Sequence, residues 1–332
     1  VSGIADLIVG LRDPATLTML VAPRWTALLS VAKAEVLLGT LAEKAAGLDL
    51  PPVIAALLAA QRQATEVAHS KALWEAEQAR VALAPLGIAP ILLKGTAYVA
   101  AGLQAGQGRQ IGDLDILVPC DRLDDVEAAL LAAGWQWLKA DPYDDAYYRR
   151  WMHELPPLIH REREAMIDVH HTILPLTHRA QPDAQAMVAD AVTLQSGLRI
   201  LSRDDMILHC AAHCIADGEL DGGLRNLWDM HCLLAGTTDW DALGRRAGQH
   251  QLRPQVGRAM RLSHHLYGTP IPAAWQRLRA GDRLFLRRLT ARDDWGRPTR
   301  RLTRLIFTMR GHAMRMPPLM LARHLWTKWR RR

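Results

Sequence analysis

Hydrophobic residues recur at helical spacing over residues 1–86, a stretch rich in Ala and Leu, and predict a set of packed helices there. The Pro51-Pro52 pair predicts the start of a long helix and Gly87 its C-terminal cap, with Ile54, Leu57, Leu58, Val67, Trp74 and Val81 as its packed stripe. The pattern then shortens. The apolar run 91–93 predicts a strand, a short helix follows Thr96, a glycine-rich loop covers 104–110, and a second apolar strand carries Asp113 and Asp115 up to Val118. Asp121 is the expected N-cap of a helix over 122–133 that buries Val126, Leu130 and Leu131 and stops at Gly134. A strand over 135–138 and a hairpin pairing 155–160 with 166–173 complete the predicted sheet.

Beyond Pro175 the pattern reads as helix throughout. Ser202 and Asp205 have capping-box spacing at the start of a helix over 203–216, Gly222-Gly223 separates it from 224–234, and further helices are expected over 239–250, 254–267 and 273–279. This order predicts an α+β protein with a small mixed β-sheet core at 88–175, an N-terminal helical region at 1–87 and a C-terminal helical region at 176–332.

Composition narrows the setting. At 332 residues and 49% hydrophobic content, the chain can bury sizeable cores. Four cysteines are too few and too scattered for a disulfide framework, and no apolar run of about 18 residues occurs, so a cytoplasmic protein without a membrane span is expected. A net charge of +7 favours an acidic partner, whether nucleotide, nucleic acid or anionic lipid surface. The stretch 297–332 carries many arginines and no acid; a solvated, partly packed helix is the simplest reading, and contact with an anionic partner or membrane surface is the functional one.

The chemistry concentrates at 91–118. Residues two apart on a strand share a face, so Asp113 and Asp115 project together while Leu114 and Ile116 point into the opposite layer. Such a pair on an apolar strand asks for a cation, most simply Mg²⁺ (or Mn²⁺), whose hard charge prefers oxygen ligands. In the second arm of the hairpin Asp168 and His170 share a face by the same period, and Asp168 is the natural third acid.

Gly95-Thr96, Asp113-Leu114-Asp115 and the later strand acid Asp168 together resemble the nucleotidyltransferase superfamily that includes DNA polymerase β. More closely, Leu92-Leu93-Lys94-Gly95, Arg109 followed by Asp113-Leu114-Asp115-Ile116-Leu117-Val118, and Ile167-Asp168-Val169-His170 look like a bacterial family of largely uncharacterised nucleotidyltransferases. Thr96 keeps a hydroxyl where those enzymes usually carry serine, and the separation of Thr96 from Asp113 is longer than in compact members. The resemblance implies transfer of a nucleoside monophosphate from an NTP, ATP foremost, to a hydroxyl of a small molecule, peptide or protein. It implies metal ligation by Asp113 and Asp115, with Asp168 holding the metal on the acceptor side or taking the acceptor proton. The amides around Gly95, with the Thr96 hydroxyl, suit the β- and γ-phosphates, and Lys94 and Arg109 add positive charge. The rival reading is a noncatalytic nucleotide- or RNA-binding module on the same fold.

Two histidine groups remain. His209, Cys210, His213 and Cys214 have the one-turn spacing of a metal set, although their apolar neighbours favour a packing helix. His213 and His170 are candidates for the acceptor side of the cleft.

Overall fold

The computed structural model describes residues 2–139, 141–216, 218, 220–237 and 239–315. The distal tail 316–332, with Trp326 and Trp329, lies outside them. The chain opens with α1 (Gly3–Arg12), α2 (Ala22–Ala34), α3 (Leu38–Lys44) and the long α4 (Pro52–Leu83), which ends through a 3-10 turn at a left-handed Gly87. There follow β1 (Ile91–Leu92), α5 (Lys94–Ala100), β2 (Leu114–Leu117), α6 (Leu123–Ala132), β3 (Trp135–Trp137), α7 (Pro142–Trp151), β4 (Leu158–His160) and β5 (Met166–His170). The remainder comprises α8 (Ala184–Ala189), β6 (Val192–Thr193), β7 (Arg199–Ile200), α9 (Arg203–Ala216), α10 (Gly223–Leu234), α11 (Trp240–Gln249), α12 (Arg253–Tyr267), α13 (Ala280–Leu289) and α14 (Arg301–Arg315). No helix among the described residues is long and apolar enough to cross a membrane.

Among the described residues, seven strands form one mixed sheet in the order β3-β4-β5-β2-β1-β7-β6, so the α+β expectation holds. β2 lies at its centre, parallel to β5 and antiparallel to β1. One apolar core joins the sheet to helices on both sides of it in sequence, from Leu7 and Trp25 to Trp228 and Phe307.

Several details differ from the sequence reading. On α4 only Leu58 of the expected stripe is buried, and Val67, Trp74 and Val81 are exposed. The inward face is instead Thr65, Ala72, Glu75, Ala76, Ala79 and Leu83. Small side chains let neighbouring elements pack close to the helix, so Ala rather than Val marks the core here. Trp74 lies against the Arg163 guanidinium, 5.1 Å from its ring centroid. Asp121 does not cap α6: it falls in a 3-10 turn, and Arg122 stands at the N-cap of α6 without a side-chain capping bond. Leu131 is only half-buried.

The region after Pro175 is not helical throughout. β6 and β7 form a hairpin around Gly197, and β7 pairs parallel with β1. Strands of two residues leave no alternation to read. The helix expected at 273–279 shrinks to a 3-10 turn at Ala273–Trp275 followed by α13.

The first part of the basic stretch is a packed helix. Phe307 of α14 is buried edge-on against Phe285 at 4.9 Å between centroids, and Arg310 donates to the Ile215 carbonyl at 2.6 Å. Gly311 lies against Gly218 so closely that a Cβ on either would collide with the other's backbone. Gly311→Ala is therefore expected to loosen α14 and cost about 1–3 kcal/mol, the usual penalty of overpacking, visible as a lower denaturation midpoint. An unchanged midpoint would mean that α14 is not held at this crossing.

Candidate active site

The parallel register of β2 and β5 sets Asp115 opposite Asp168 and Leu117 opposite His170. All four side chains share one face of the sheet. Asp113 sits just before β2 and is exposed, Asp115 is 3% exposed, and Asp168 is half-buried. One carboxylate oxygen from each of the three lies within 4.8 Å of the others.

Lys94 supplies a cation to this group. Its backbone occupies the left-handed region at φ 48°, a strained conformation for a non-glycine residue, and its Nζ donates to Asp115 Oδ1 at 2.6 Å. His170 Nε2 meets the same oxygen at 2.9 Å. Burial opposes a charge on Asp115, but the Lys94 ammonium and the His170 bond outweigh it and hold this carboxyl well below the usual range. Its neighbours move the other way. Burial and then the Asp115, Glu154 and Asp113 charges push Asp168 up to about 7, and burial with the Asp115 charge raises Asp113. Asp168 Oδ1 is buried with no hydrogen-bond partner. An orphaned carboxylate oxygen between two further carboxylates is the donor set that a hard divalent cation fits.

Gly95 and Thr96 stand in the first turn of α5, both buried. A Cβ at Gly95 would strike the Arg109 side chain, so the glycine is required by this close approach. Arg109 does not face the carboxylates. It is half-buried and ion-paired with the buried Asp229 of α10, which also lies 3.6 Å from Arg225 Nε. Arg225 in turn donates to Thr40 Oγ1 at 2.8 Å through Nη1. The glycine-rich loop is thus tied to α10 and α3 through buried charge.

Of the α9 group, Cys210 and Cys214 are buried in packing and Cys210 Sγ donates to the Asn226 carbonyl at 3.3 Å. Among the described residues these four side chains form no metal-holding group. His209 is buried and His213 exposed. Burial, then the Lys94 charge, favours the neutral form of His209. The sequence reading missed Glu154 and His153, which approach His170 from the segment before β4, where Glu154 forms an isolated bridge with His170. It also missed Asp229, whose signal was an acid four residues after Arg225 on an otherwise apolar helix face.

A proton held by Asp168 near neutrality must leave when a divalent ion takes its place. Mg²⁺ is therefore expected to bind more tightly at pH 8 than at pH 6 by roughly tenfold, with proton release seen by calorimetry in buffers of different ionisation enthalpy. Equal affinity at both values, with no proton release, would show that Asp168 is not a ligand.

A family model described as "Uncharacterised nucleotidyltransferase" matches residues 22–268, from α2 to the residue that ends α12. Comparison with curated proteins returns no match.

Proposed function

Because this chain belongs to the family of uncharacterised nucleotidyltransferases, we propose that it moves a nucleoside monophosphate from an NTP, ATP foremost, to a hydroxyl acceptor, with Asp113, Asp115 and Asp168 as its metal-binding and catalytic acids. The observation that carries the reading is the meeting of those three carboxylates on adjacent elements, one of them with an orphaned buried oxygen. Mg²⁺ bound there would supply charge stabilisation at the reacting phosphate and at the oxygens that attack and leave.

The chain's own residues account for the rest. The acceptor oxygen attacks the α-phosphorus and the bond from that phosphorus to the α,β-bridging oxygen breaks, so pyrophosphate leaves with the electron pair. Asp168 stands on the acceptor side, where it would hold the metal there or receive the acceptor proton. Lys94 and His170 fix Asp115 in its charged form and in one orientation. The start of α5 at Lys94-Gly95-Thr96 is the place for the β- and γ-phosphates, where amides and Lys94 supply favourable charge. Arg109 acts from behind, through its packing on Gly95, rather than by touching phosphate. His170 and His213 remain candidates for the acceptor side, His170 through its bond to Asp115 and His213 as the exposed imidazole of α9.

The test is pyrophosphate release from each of the four NTPs with Mg²⁺ or Mn²⁺ and a panel of hydroxyl acceptors. Release that requires metal and acceptor supports the transferase. Tight nucleotide binding without release under any of these conditions would favour the noncatalytic module instead.

A further inference from the structure

Behind Asp115 lies a second group of potential ligands made by His153, Glu154 and His170, with one ligand atom from each within 4.8 Å of the other two. The role of each His170 nitrogen follows from its partner. Asp115, held ionised by Lys94 at 2.6 Å, can only accept, so the 2.9 Å contact to His170 Nε2 requires the proton on Nε2. Nδ1 is then the ring nitrogen left to serve a ligand. That atom is buried, in a residue 1% exposed, and has no hydrogen-bond partner. It faces the Glu154 carboxylate at 3.4 Å.

The distances distinguish a hydrogen bond from a shared ion. His170 Nδ1 and His153 Nε2 stand 3.4 and 3.5 Å from the same Glu154 oxygen. Both exceed the normal range for a hydrogen bond. Two ligand atoms at ~2.0–2.1 Å from one ion, at a tetrahedral angle, stand about 3.4 Å apart. The Asp115 bond on the far nitrogen of His170 is the arrangement that orients a metal-bound imidazole and fixes its tautomer. The His153 and Glu154 side chains keep 21% and 16% of their surface accessible, so an ion can reach them, while His170 is 2% accessible.

We propose that His153, Glu154 and His170 form a distinct binding site for a borderline transition ion of the Zn²⁺ class, joined to the carboxylate centre through the His170–Asp115 hydrogen bond. Two imidazoles and one carboxylate select such an ion over Mg²⁺, which prefers an all-oxygen shell. Electrostatics supports a cation here, since Glu154 adds a fourth carboxylate to Asp113, Asp115 and Asp168, and the Lys94 charge acts on Asp113, Asp115 and Glu154 while Asp168 is raised by the three other carboxylates. Bound there, the ion would polarise His170 and strengthen its donation to Asp115. The site stands whether or not the carboxylate centre transfers nucleotides.

The full chain, stripped by chelator and supplied with saturating Mg²⁺ to fill the carboxylate centre, would be titrated with Co²⁺ as a spectroscopic probe. One Co²⁺ per chain is expected, with visible bands of nitrogen ligation that one equivalent of Zn²⁺ displaces. Glu154→Gln and His153→Gln should each weaken binding at least ~10-fold, whereas Asp168→Asn should leave the bands in place. Zinc-edge X-ray absorption on the unaltered chain needs no variant and should count two imidazole ligands. Absence of nitrogen ligation in that spectrum, or Co²⁺ bands that vanish in Asp168→Asn and persist in Glu154→Gln, would overturn the proposal.

Discussion

Asp168→Asn is expected to abolish most nucleotidyl transfer and, in the same molecule, to make the metal-free protein more stable. The loss follows from removing the group placed to take the acceptor proton, a role worth roughly 10²–10⁴-fold in rate, and one ligand of the metal with it. The gain follows from electrostatics. Asp168 is half-buried beside Asp115, Glu154 and Asp113, and its carboxyl is raised to about 7. A raised carboxyl holds its proton in the folded state, so it costs nothing below the unfolded carboxylate range. The cost grows as pH rises and is complete above about 7. Asparagine keeps the shape and never carries the charge. At pH 8 in the presence of chelator, the variant should be more stable by about 1–3 kcal/mol, a figure reduced from ~1.4 kcal/mol per pH unit because the side chain is partly solvated. The difference should disappear near pH 4. Thermal denaturation with pyrophosphate release on the same preparations reads both effects. A variant that is less stable at pH 8 would refute the strained-carboxylate account, and one that retains activity would refute the role of Asp168.

The largest effect on stability alone is expected at Asp229. This residue is 2% exposed and pairs with Arg109, while Arg225, itself 3% exposed, lies beside it. Asp229→Ala leaves the Arg109 and Arg225 guanidinium groups without their carboxylate. Breaking a buried pair in this way costs about 3–5 kcal/mol, because the remaining charge has lost its compensation. Arg109→Met combined with Asp229→Leu should recover much of that loss, since neither charge then remains from the pair. Urea denaturation of the three proteins tests the network. A loss below about 1 kcal/mol in Asp229→Ala would mean that water or rearrangement satisfies the arginines.

The carboxylate centre was legible because strand geometry is periodic. Once Asp113-Leu114-Asp115 and Asp168 were placed on strands, their faces followed, and the parallel pairing of Asp115 with Asp168 completes what alternation alone implied. The role of Lys94 was not legible, because it depends on a left-handed backbone that turns the ammonium onto Asp115. Arg109 was expected at phosphate, and its actual partner lies 120 residues away on α10. No local pattern reveals such a pairing.

The fold shows the same division. Proline marked the start of α4, and Gly87 closes the 3-10 turn that follows its end at Leu83, because left-handed backbone at a glycine and proline at a helix start are local requirements. Which face of α4 turns inward depends on how closely its neighbours approach, and the sequence stripe through Val67, Trp74 and Val81 pointed to the wrong side. The hairpin at Val192–Ile200 escaped notice because two-residue strands carry no period, although it extends the sheet beside β1. Glu154 and His153 were hidden for a related reason, since an isolated bridge rather than a regular strand brings them to His170.

In the proposed reaction the Asp113, Asp115 and Asp168 centre breaks the bond between the α- and β-phosphates and passes the nucleoside monophosphate to a hydroxyl. Parallel reactions with α-labelled and γ-labelled ATP, Mg²⁺ and the same acceptor panel test it most directly. The account predicts acceptor label only from the α-position, labelled pyrophosphate from the γ-position, and neither with Asp113→Asn or Asp168→Asn. Acceptor label from the γ-position, or full transfer by either variant, would contradict it.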